Sequence, residues 1–577
     1  MVSVPEPDLN YRRHVEGRLI GLRTNRYSWW THARELADYI LPRRYKWLIT
    51  PNQMARGSPI NQHILDSTGT LAARNLASGL VSGVSSPTRP WLKLKINRID
   101  STQTSPISLW LAECERLLML IFSESNFYNS IAMLYFDLVV FGTGVMLIYE
   151  DFDNVIQCYN PCFGEYYLDL DGKFRPTVFY REFTMTVAGV VDEFGYPNCS
   201  PAVQRLYKDA GAGLTRELVV AHALEPNVGK ENYGIDKRFA FRECYWEWGG
   251  SASPQGGAAY AQGFLRKKGY FEQPNIAVRW DLVSNDAYGR SPGMDALPDI
   301  KQLQQEVRRK AQAIDKTVNP PMEADIQLKN QPASLLPGGI TYTSGLMSSG
   351  NPGFRSVYGN WKPGIGEISE DLQEIRDRIK RVFFNDILQT ASQYETRSNV
   401  TAVEWDMRKS ESLVMLGPVL QRIYDEGLKP VVERVFAVAS RAGILPPAPR
   451  NIQGAAINIE FVSMLAQAQA AASTAGIERL FQVAGGLVGV DPQVMDNIDI
   501  DFALDKYSSL MNNDPRIIRS PDELAAIRAQ RQQQMQQQQA AQQADAAQKY
   551  AASAKNLSDT QVGGGQNAIE AMLQGGT

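Results

Sequence analysis

Two amphipathic stretches and the segment between them constrain this chain more than any other feature. Ile300, Leu303, Val307, Ala311, Ile314 and Val318 recur at three- and four-residue intervals until Pro320 and Pro321 stop the run. That spacing places them on one side of a helix. Leu372, Ile375, Ile379, Val382 and Phe383 form a second stripe, with Ser369 as the expected N-cap and Glu370, Asp371 and Glu374 in the first turns. About twenty helical residues span ~30 Å. Residues 322–366 between the stripes are rich in Pro, Gly and Ser. Their larger apolar side chains are few: Leu335, Leu336, Ile340, Leu346, Phe354 and Trp361. That is too little for a core of their own. The expected object is a rod of two helices carrying a small module at one tip. Each helix has a single apolar stripe, so a lone pair would stand poorly supported in water.

The flanking sequence reads as α+β, mainly α. A helical pattern runs from Leu9 to Leu41, where Pro42 ends it, and a second from about Asn61 to Val84, rich in Ala, Ser and Gly and suited to close packing. Two more helical stretches cover Pro106 to Val140. From Gly144 the period changes to β-branched and aromatic runs, with Asp171-Gly172 as the clearest hairpin signal. Thr401 to Glu404 is a capping-box sequence opening a long helix with Leu413, Leu416, Leu420 and Ile423 on one face, which Pro418 and Pro430 should kink. Helical segments are expected to about Gly486. A Gln/Ala-rich helix without an apolar face follows from Pro521, and residues 555–577 read as disordered.

Between the second striped helix and the capping box lies "QTASQYETRSN", Gln389 to Asn399, polar and without Gly or Pro. It is too long for a tight helical hairpin, and from the residues alone it is a solvated connector.

Composition excludes several classes. The chain has 577 residues, with Lys+Arg 59 against Asp+Glu 62, so no global basic bias marks a nucleic-acid binder. No apolar run reaches the ~18 residues of a membrane span, and the first residues do not read as a secretory signal. Five scattered cysteines fit a reducing compartment. There is no phosphate loop of the Walker type. "FGTGVML" reads as a structural turn, and Cys158 with Cys162 lack a second pair of metal ligands. His222 reads as a satisfied sheet histidine, Asp169 and Asp171 as hairpin residues, and Asp496 to Phe502 as an acidic surface segment. No catalytic residue, metal site or cofactor is expected.

Four stretches carry a resemblance: "LASGLVSGVSSPTRPWLKL" from Leu76, "YGRSPGMDALPDIKQLQ" from Tyr288, "TAVEWDMRKSESLVMLGPVLQRI" from Thr401 and "RIIRSPDELAAIRAQRQQQ" from Arg516. In this order they resemble the portal, or head-to-tail connector, proteins of short-tailed bacteriophages. The resemblance implies a ring of about twelve copies at one capsid vertex, with double-stranded DNA passing through its channel during packaging and ejection. It implies a wing over residues 1–286, a first stem helix over 287–321, a clip over 322–366 and a second stem helix over 367–388. A tunnel loop over 389–400, a kinked wing helix over 401–443, a crown over 444–520 and a barrel helix over 521–554 complete the pattern. Stem packing falls to Ile300, Leu303, Val307, Ile314, Leu372, Ile375, Ile379 and Val382. Docking through the clip falls to Leu335, Leu336, Ile340, Phe354 and Trp361, and the DNA-facing loop to Ser392, Gln393, Tyr394, Glu395, Thr396, Arg397 and Ser398. Implied partners are other copies of the chain, DNA, the terminase large subunit, tail adaptors, and scaffold and capsid proteins, with no membrane. The protein would be assembled in the host cytoplasm and end in the virion. The other reading kept open is a different ring-forming tail or adaptor protein.

Overall fold

The computed structural model describes residues 6–44, 61–96, 106–209, 211–228, 234–248, 263–320, 322–324, 354–356, 364–385, 416–449, 457–461, 476–486, 498–510, 517, 519, 521–559, 561–562 and 566–567. These divide into two compact units. One holds the described residues up to Lys95, from Cys114 to Pro446 and from Asn458 to Gln469; the other holds those of Ile96–Glu113, Pro447–Ile457 and Ala470–Thr577.

The first unit opens with α1 (Glu6–Asn25) and α2 (Tyr27–Tyr39), followed by α3 (Thr68–Val84) and β1 (Leu92–Ile96). The single helix expected from Leu9 to Leu41 is thus two, broken at Arg26. The Arg26 guanidinium lies in a box of Phe163, Tyr166, Tyr167 and Tyr288 rings, with centroids 4.4 to 5.3 Å away. The start of α3 is seven residues later than Asn61, because Asp66 turns the chain there and accepts from the Thr68 N–H at 2.9 Å. Next in the chain is α4 (Pro106–Glu124), whose residues up to Glu113 count with the second unit and those from Cys114 with the first, and then α5 (Phe127–Phe141), β2 (Thr143–Asp151) and β3 (Val155–Tyr159).

Then β4 (Tyr166–Asp169) and β5 (Val178–Thr186) pair around Asp171, whose carboxylate accepts from the N–H groups of Lys173 and Arg175. Two short helices, α6 (Val187–Phe194) and α7 (Pro201–Lys208), lie within the β-rich region, between runs read as strands. Thr186 and Ser200 cap them through their hydroxyls. Strands β6 (Glu217–Pro226), β7 (Phe241–Glu247), β8 (Arg266–Tyr270) and β9 (Asn275–Arg279) complete two antiparallel sheets. Their orders are β4-β5-β6-β7-β8 and β3-β2-β9.

The five-stranded sheet is buried on both faces, and the alternation of its strands decides what each face meets. Ala221, Ala223, Cys244 and Trp246 point to α1, which supplies Tyr11, Val15, Leu19 and Leu22. Val220 and Tyr245 point the other way and meet Val187, Val190 and Val203 of α6 and α7. Two buried polar clusters accompany these cores. On the α1 face, Glu225 accepts from Arg242 at 2.7 Å, Arg18 at 2.9 Å and the Tyr180 hydroxyl at 3.0 Å. On the other face, Arg181 Nε donates to His222 Nδ1 at 3.1 Å. That nitrogen must therefore accept, and Nε2–H donates to Glu243 at 2.8 Å. Burial pushes His222 down to about 4, so the ring is a neutral, satisfied sheet histidine.

The chain continues through α8 (Pro292–Val318), β10 (Met322–Ala324), β11 (Phe354–Ser356) and α9 (Ile365–Val382). Strands β10 and β11 pair antiparallel, with Ala324 opposite Phe354. Gly364, not Ser369, stands at the N-cap of α9. The Ser369 hydroxyl donates back to the Ile365 carbonyl at 2.7 Å, a bond available to serine inside a helix. After Leu416 a helix runs from Gly417 to Arg441, α-helical to Arg422, π-helical over Ile423–Leu428 and α-helical again from Lys429. It passes Pro430 without stopping, with that proline in the first turn of the renewed α segment. Strand β12 (Ile457–Phe461) pairs with β1, where only helix was expected.

The second unit contains helical residues 476–486, a helix Ile500–Leu510 and a 39-residue helix Pro521–Asp559. The acidic stretch before Phe502 is a helix start: Asp499 accepts from the Phe502 N–H at 2.9 Å, and Asp501 pairs with Arg528 at 2.8 Å. The last helix continues past Ala554, where the barrel helix was expected to end, as far as Asp559. Beyond it, β13 (Gln561–Val562) and β14 (Gln566–Asn567) pair antiparallel. No described helix is long and apolar enough to cross a membrane.

Burial works against ionisation of Glu225, but donors from His14, Arg242 and Arg18 outweigh it and bring the carboxyl down to about 2. An unfolded Glu titrates near ~4.3. A depressed folded value stabilises the fold above the unfolded pKa, and that contribution is lost as pH falls through the folded one. Urea unfolding followed by Trp fluorescence should therefore show stability falling between about pH 5 and pH 2, by roughly 3 kcal/mol from this group. Glu225→Gln should remove that part of the pH dependence.

Candidate functional site

The striped helices α8 and α9 are the most informative element, and their footing is built from glycine. Gly142 ends α5 in the left-handed region at φ 76°. A side chain there would run into the Gly289 carbonyl. The Gly142 carbonyl accepts from the Trp280 N–H at 2.9 Å, and the Gly289 N–H donates to Thr143 Oγ1 at 2.9 Å. One turn on, a Cβ on Gly293 would lie 2.7 Å from the Val140 carbonyl oxygen. Ser291, the N-cap of α8, donates to that same oxygen at 2.7 Å. The glycines of "FGTGVML" and "YGRSPGMDALP" therefore allow one backbone crossing, and the first is a structural turn.

From this crossing α8 runs antiparallel to α9. Lys310 Nζ donates to Ser369 Oγ at 2.8 Å, and Arg378 donates to Asp299 at 3.3 Å. Ile300, Leu303, Leu372, Ile375 and Ile379 are buried. Val307 and Val382 are half-buried, while Ile314 is 41% and Val318 79% exposed. The stripe is covered near the footing and bare toward its far end.

A polar junction fixes both helices to the turn before α3. Gln304 Oε1 accepts from the Leu65 and Asp66 N–H groups at 2.7 and 2.8 Å, while its amide nitrogen donates to the Asp66 carbonyl at 2.8 Å. Arg376 donates twice to the Asp66 carboxylate, at 3.0 and 2.8 Å. Burial alone would raise that carboxyl; the Thr68 hydrogen bonds and Arg376 outweigh it and hold it below the usual range. Gly69 in α3 faces Ile300, whose Cδ1 is 2.7 Å from where a Cβ would sit.

The helix 417–441 is clamped to the three-stranded sheet. Buried Arg434 reaches Glu272 at 2.6 Å and Glu150 at 3.3 Å, and Arg441 reaches Glu150 at 2.9 Å. Within its π turn, Glu426 pairs with buried Arg279, and Gly427 lies against Val278. These contacts fix the segment that follows residues 386–415.

Ser392, Gln393, Tyr394, Glu395, Thr396, Arg397 and Ser398 lie outside the described residues, as do Leu335, Leu336, Ile340 and Trp361. Phe354 is placed by its backbone in β11. Among the described residues, no group of three or more His, Cys, Asp or Glu is arranged to hold a metal. Cys158 is buried in β3, and burial pushes its thiol up to about 12.

The profile of the family described as bacteriophage head to tail connecting protein matches residues 12–518. The chain belongs to that family. It is 38% identical over 514 residues to the probable portal protein of Bordetella phage BPP-1, covering 89% of this chain and 90% of that protein. It is also 36% identical over 546 residues to the portal protein of Salmonella phage epsilon15, covering 94% and 95%. Connector proteins of this family are structural rather than enzymatic.

Sequence reasoning found the stripes of this connector because periodicity is local. It missed Asp66, Gln304, Arg376, Arg279, Glu426 and Arg434, whose partners lie far along the chain. The one available signal was the glycines of the two motifs.

The glycine footing predicts a contrast. Gly142→Ala should destabilise by about 3 kcal/mol or more, since strain at positive φ adds to a backbone collision. Gly69→Ala meets only the tip of Ile300 and gains helix propensity, so its net cost should stay below ~1.5 kcal/mol. Urea midpoints of the two variants check this order.

Proposed function

We propose that this chain is the portal subunit of a short-tailed phage. About twelve copies close into a ring at one capsid vertex, and double-stranded DNA passes through its channel during packaging and ejection. The observation that carries this is the family match over residues 12–518, joined to a helix pair whose apolar stripe lies bare at Ile314 and Val318 in the single chain. A bare stripe of this kind calls for a neighbour.

Residues up to about 286 are then the wing, α8 and α9 the stem, and residues 322–366 the clip, with β10 and β11 at its base. The clip, through Leu335, Leu336, Ile340, Phe354 and Trp361, docks the terminase and later the tail adaptors. Residues 389–400 are the tunnel loop, and the helix 417–441 is part of the wing. Residues 444–520 form the crown, and the helix Pro521–Asp559 the barrel. Scaffold and capsid proteins surround the ring, which is assembled in the host cytoplasm.

Electron-microscope images of the purified protein should show closed rings with a central channel wide enough for B-DNA. A chain that stays monomeric at high concentration and with scaffold present overturns the reading.

The loop gives a second test. Its one Glu and one Arg balance, so a ring of loops contacts moving DNA without holding it. Glu395→Lys adds positive charge at every copy and multiplies phosphate contacts. Rings of this variant should yield fewer filled heads, with a deficit that shrinks as salt rises, while Gln393→Ala rings should package like the parent. Equal yields from both variants exclude the loop from the channel.

A further inference from the structure

The two sides of the α8–α9 hairpin carry opposite charge. At about 100° per residue, the side of α8 turned away from Leu303 and Ile314 carries Arg308, Arg309 and Lys316, all exposed, with Gln305 and Gln312 between them; exposed Asp315, seven residues on from Arg308, lies at its edge and leaves the side net positive. The side of α9 turned away from Leu372 and Ile375 carries Glu367, Glu370 and Glu374, all exposed, the last 3.8 Å from Arg378 of its own helix; half-buried Asp377 and exposed Arg381 follow on the same side toward the footing, which leaves it net negative. Because the helices are antiparallel and face each other through their stripes, these outer sides point in opposite directions.

Their levels along the rod also match. Lys310 stands beside Ser369 and Asp299 beside Arg378, which fixes the register of the pair. In that register Arg309 is level with Glu370, Arg308 lies between Glu370 and Glu374, and Lys316 lies past Glu367 toward the tip. A second copy moved sideways, with no shift along the rod, brings the basic side of one hairpin onto the acidic side of the next. Such a contact joins two different surfaces, the kind that closes into a ring.

We infer that each hairpin recognises its neighbour by charge: the Arg308–Arg309–Lys316 side of α8 in one copy seats against the Glu367–Glu370–Glu374 side of α9 in the next. This rests on the ring reading above and adds the surface and polarity of the contact. One such pair at a surface is weak, but a network repeated at every interface is additive around the ring.

The test uses the full chain in three charge-reversed forms: Arg308→Glu with Arg309→Glu, Glu370→Lys with Glu374→Lys, and all four together. All four positions are exposed, and circular dichroism with thermal unfolding should show each variant folded. Analytical ultracentrifugation and electron microscopy then read ring formation. Each double variant should form at least tenfold less ring than the parent at equal concentration. The quadruple variant, and an equimolar mixture of the two doubles, should recover it. Parent rings should loosen as salt rises. If the parent forms rings and the double variants form them equally well, the charge inference falls while the ring reading stands. If the Arg308, Arg309 variant keeps its rings and only loses DNA passage, this side of α8 faces the channel and the inference is equally overturned. A parent that forms no ring removes the reading on which the inference rests.

Discussion

The crossing of two backbones at Gly142 and Gly289 sets the direction of everything beyond it. Carbonyl and amide groups meet there at a separation that no side chain permits, and Ser291 and Gly293 bring α8 onto the end of α5 within the next turn. A helix of 27 residues projects from this point. An error of a few degrees at its footing becomes an error of ångströms at its tip, so the tightest packing is needed where the rod begins. Gln304 and Arg376 act as a second stay, tying both helices to the Asp66 turn.

The body behind this footing is held together in a different way. Its five-stranded sheet buries both faces, and each face holds a hydrogen-bonded cluster around a buried carboxylate, Glu225 on one side and Glu243 on the other. Glu225 fixes α1 through Arg18, while Glu243 gathers His222, Tyr245 and Tyr270. Removing one partner from such a cluster costs more than the pair contributes, because the other is left buried and unsatisfied. These clusters serve shape, not chemistry. Glu243 keeps its charge against burial because His222 and Tyr270 donate to it, and a carboxylate and imidazole engaged in this way have no position facing solvent from which to act.

Much of this was legible in the sequence, and the gaps have physical causes. Ile300, Leu303, Leu372, Ile375 and Ile379 announced a buried stripe because helix period is a local property. The exposed far end at Ile314 was equally periodic, and periodicity alone does not say what covers a stripe. Helices α6 and α7 were missed because eight residues are too few to show a period among β-rich neighbours. Ser369 was misplaced because a serine able to cap a helix can also bond back to the preceding turn, and Gly364 left the earlier start without a side-chain signal. The Asp66, Gln304 and Arg376 junction joins residues more than two hundred positions apart, and nothing local marks such polar pairs. The loop and clip positions named from the sequence fall outside the described residues, so their roles rest on family resemblance.

The π turn at Ile423–Leu428 has a consequence for how this helix tolerates change in length. A π turn takes one more residue per turn than an α turn, so it absorbs an added residue locally and leaves the flanking turns in phase. Leu416 before it, and Val431, Val435 and Val438 after it, remain buried together for that reason. Loss of one residue within the turn would let it relax to a plain α-helix with little rotation of either flank. Loss of one residue anywhere else in the helix would turn one flank by about 100° and expose its apolar face. The anchored π turn is the one stretch of this helix where the chain can be shortened and still keep its face.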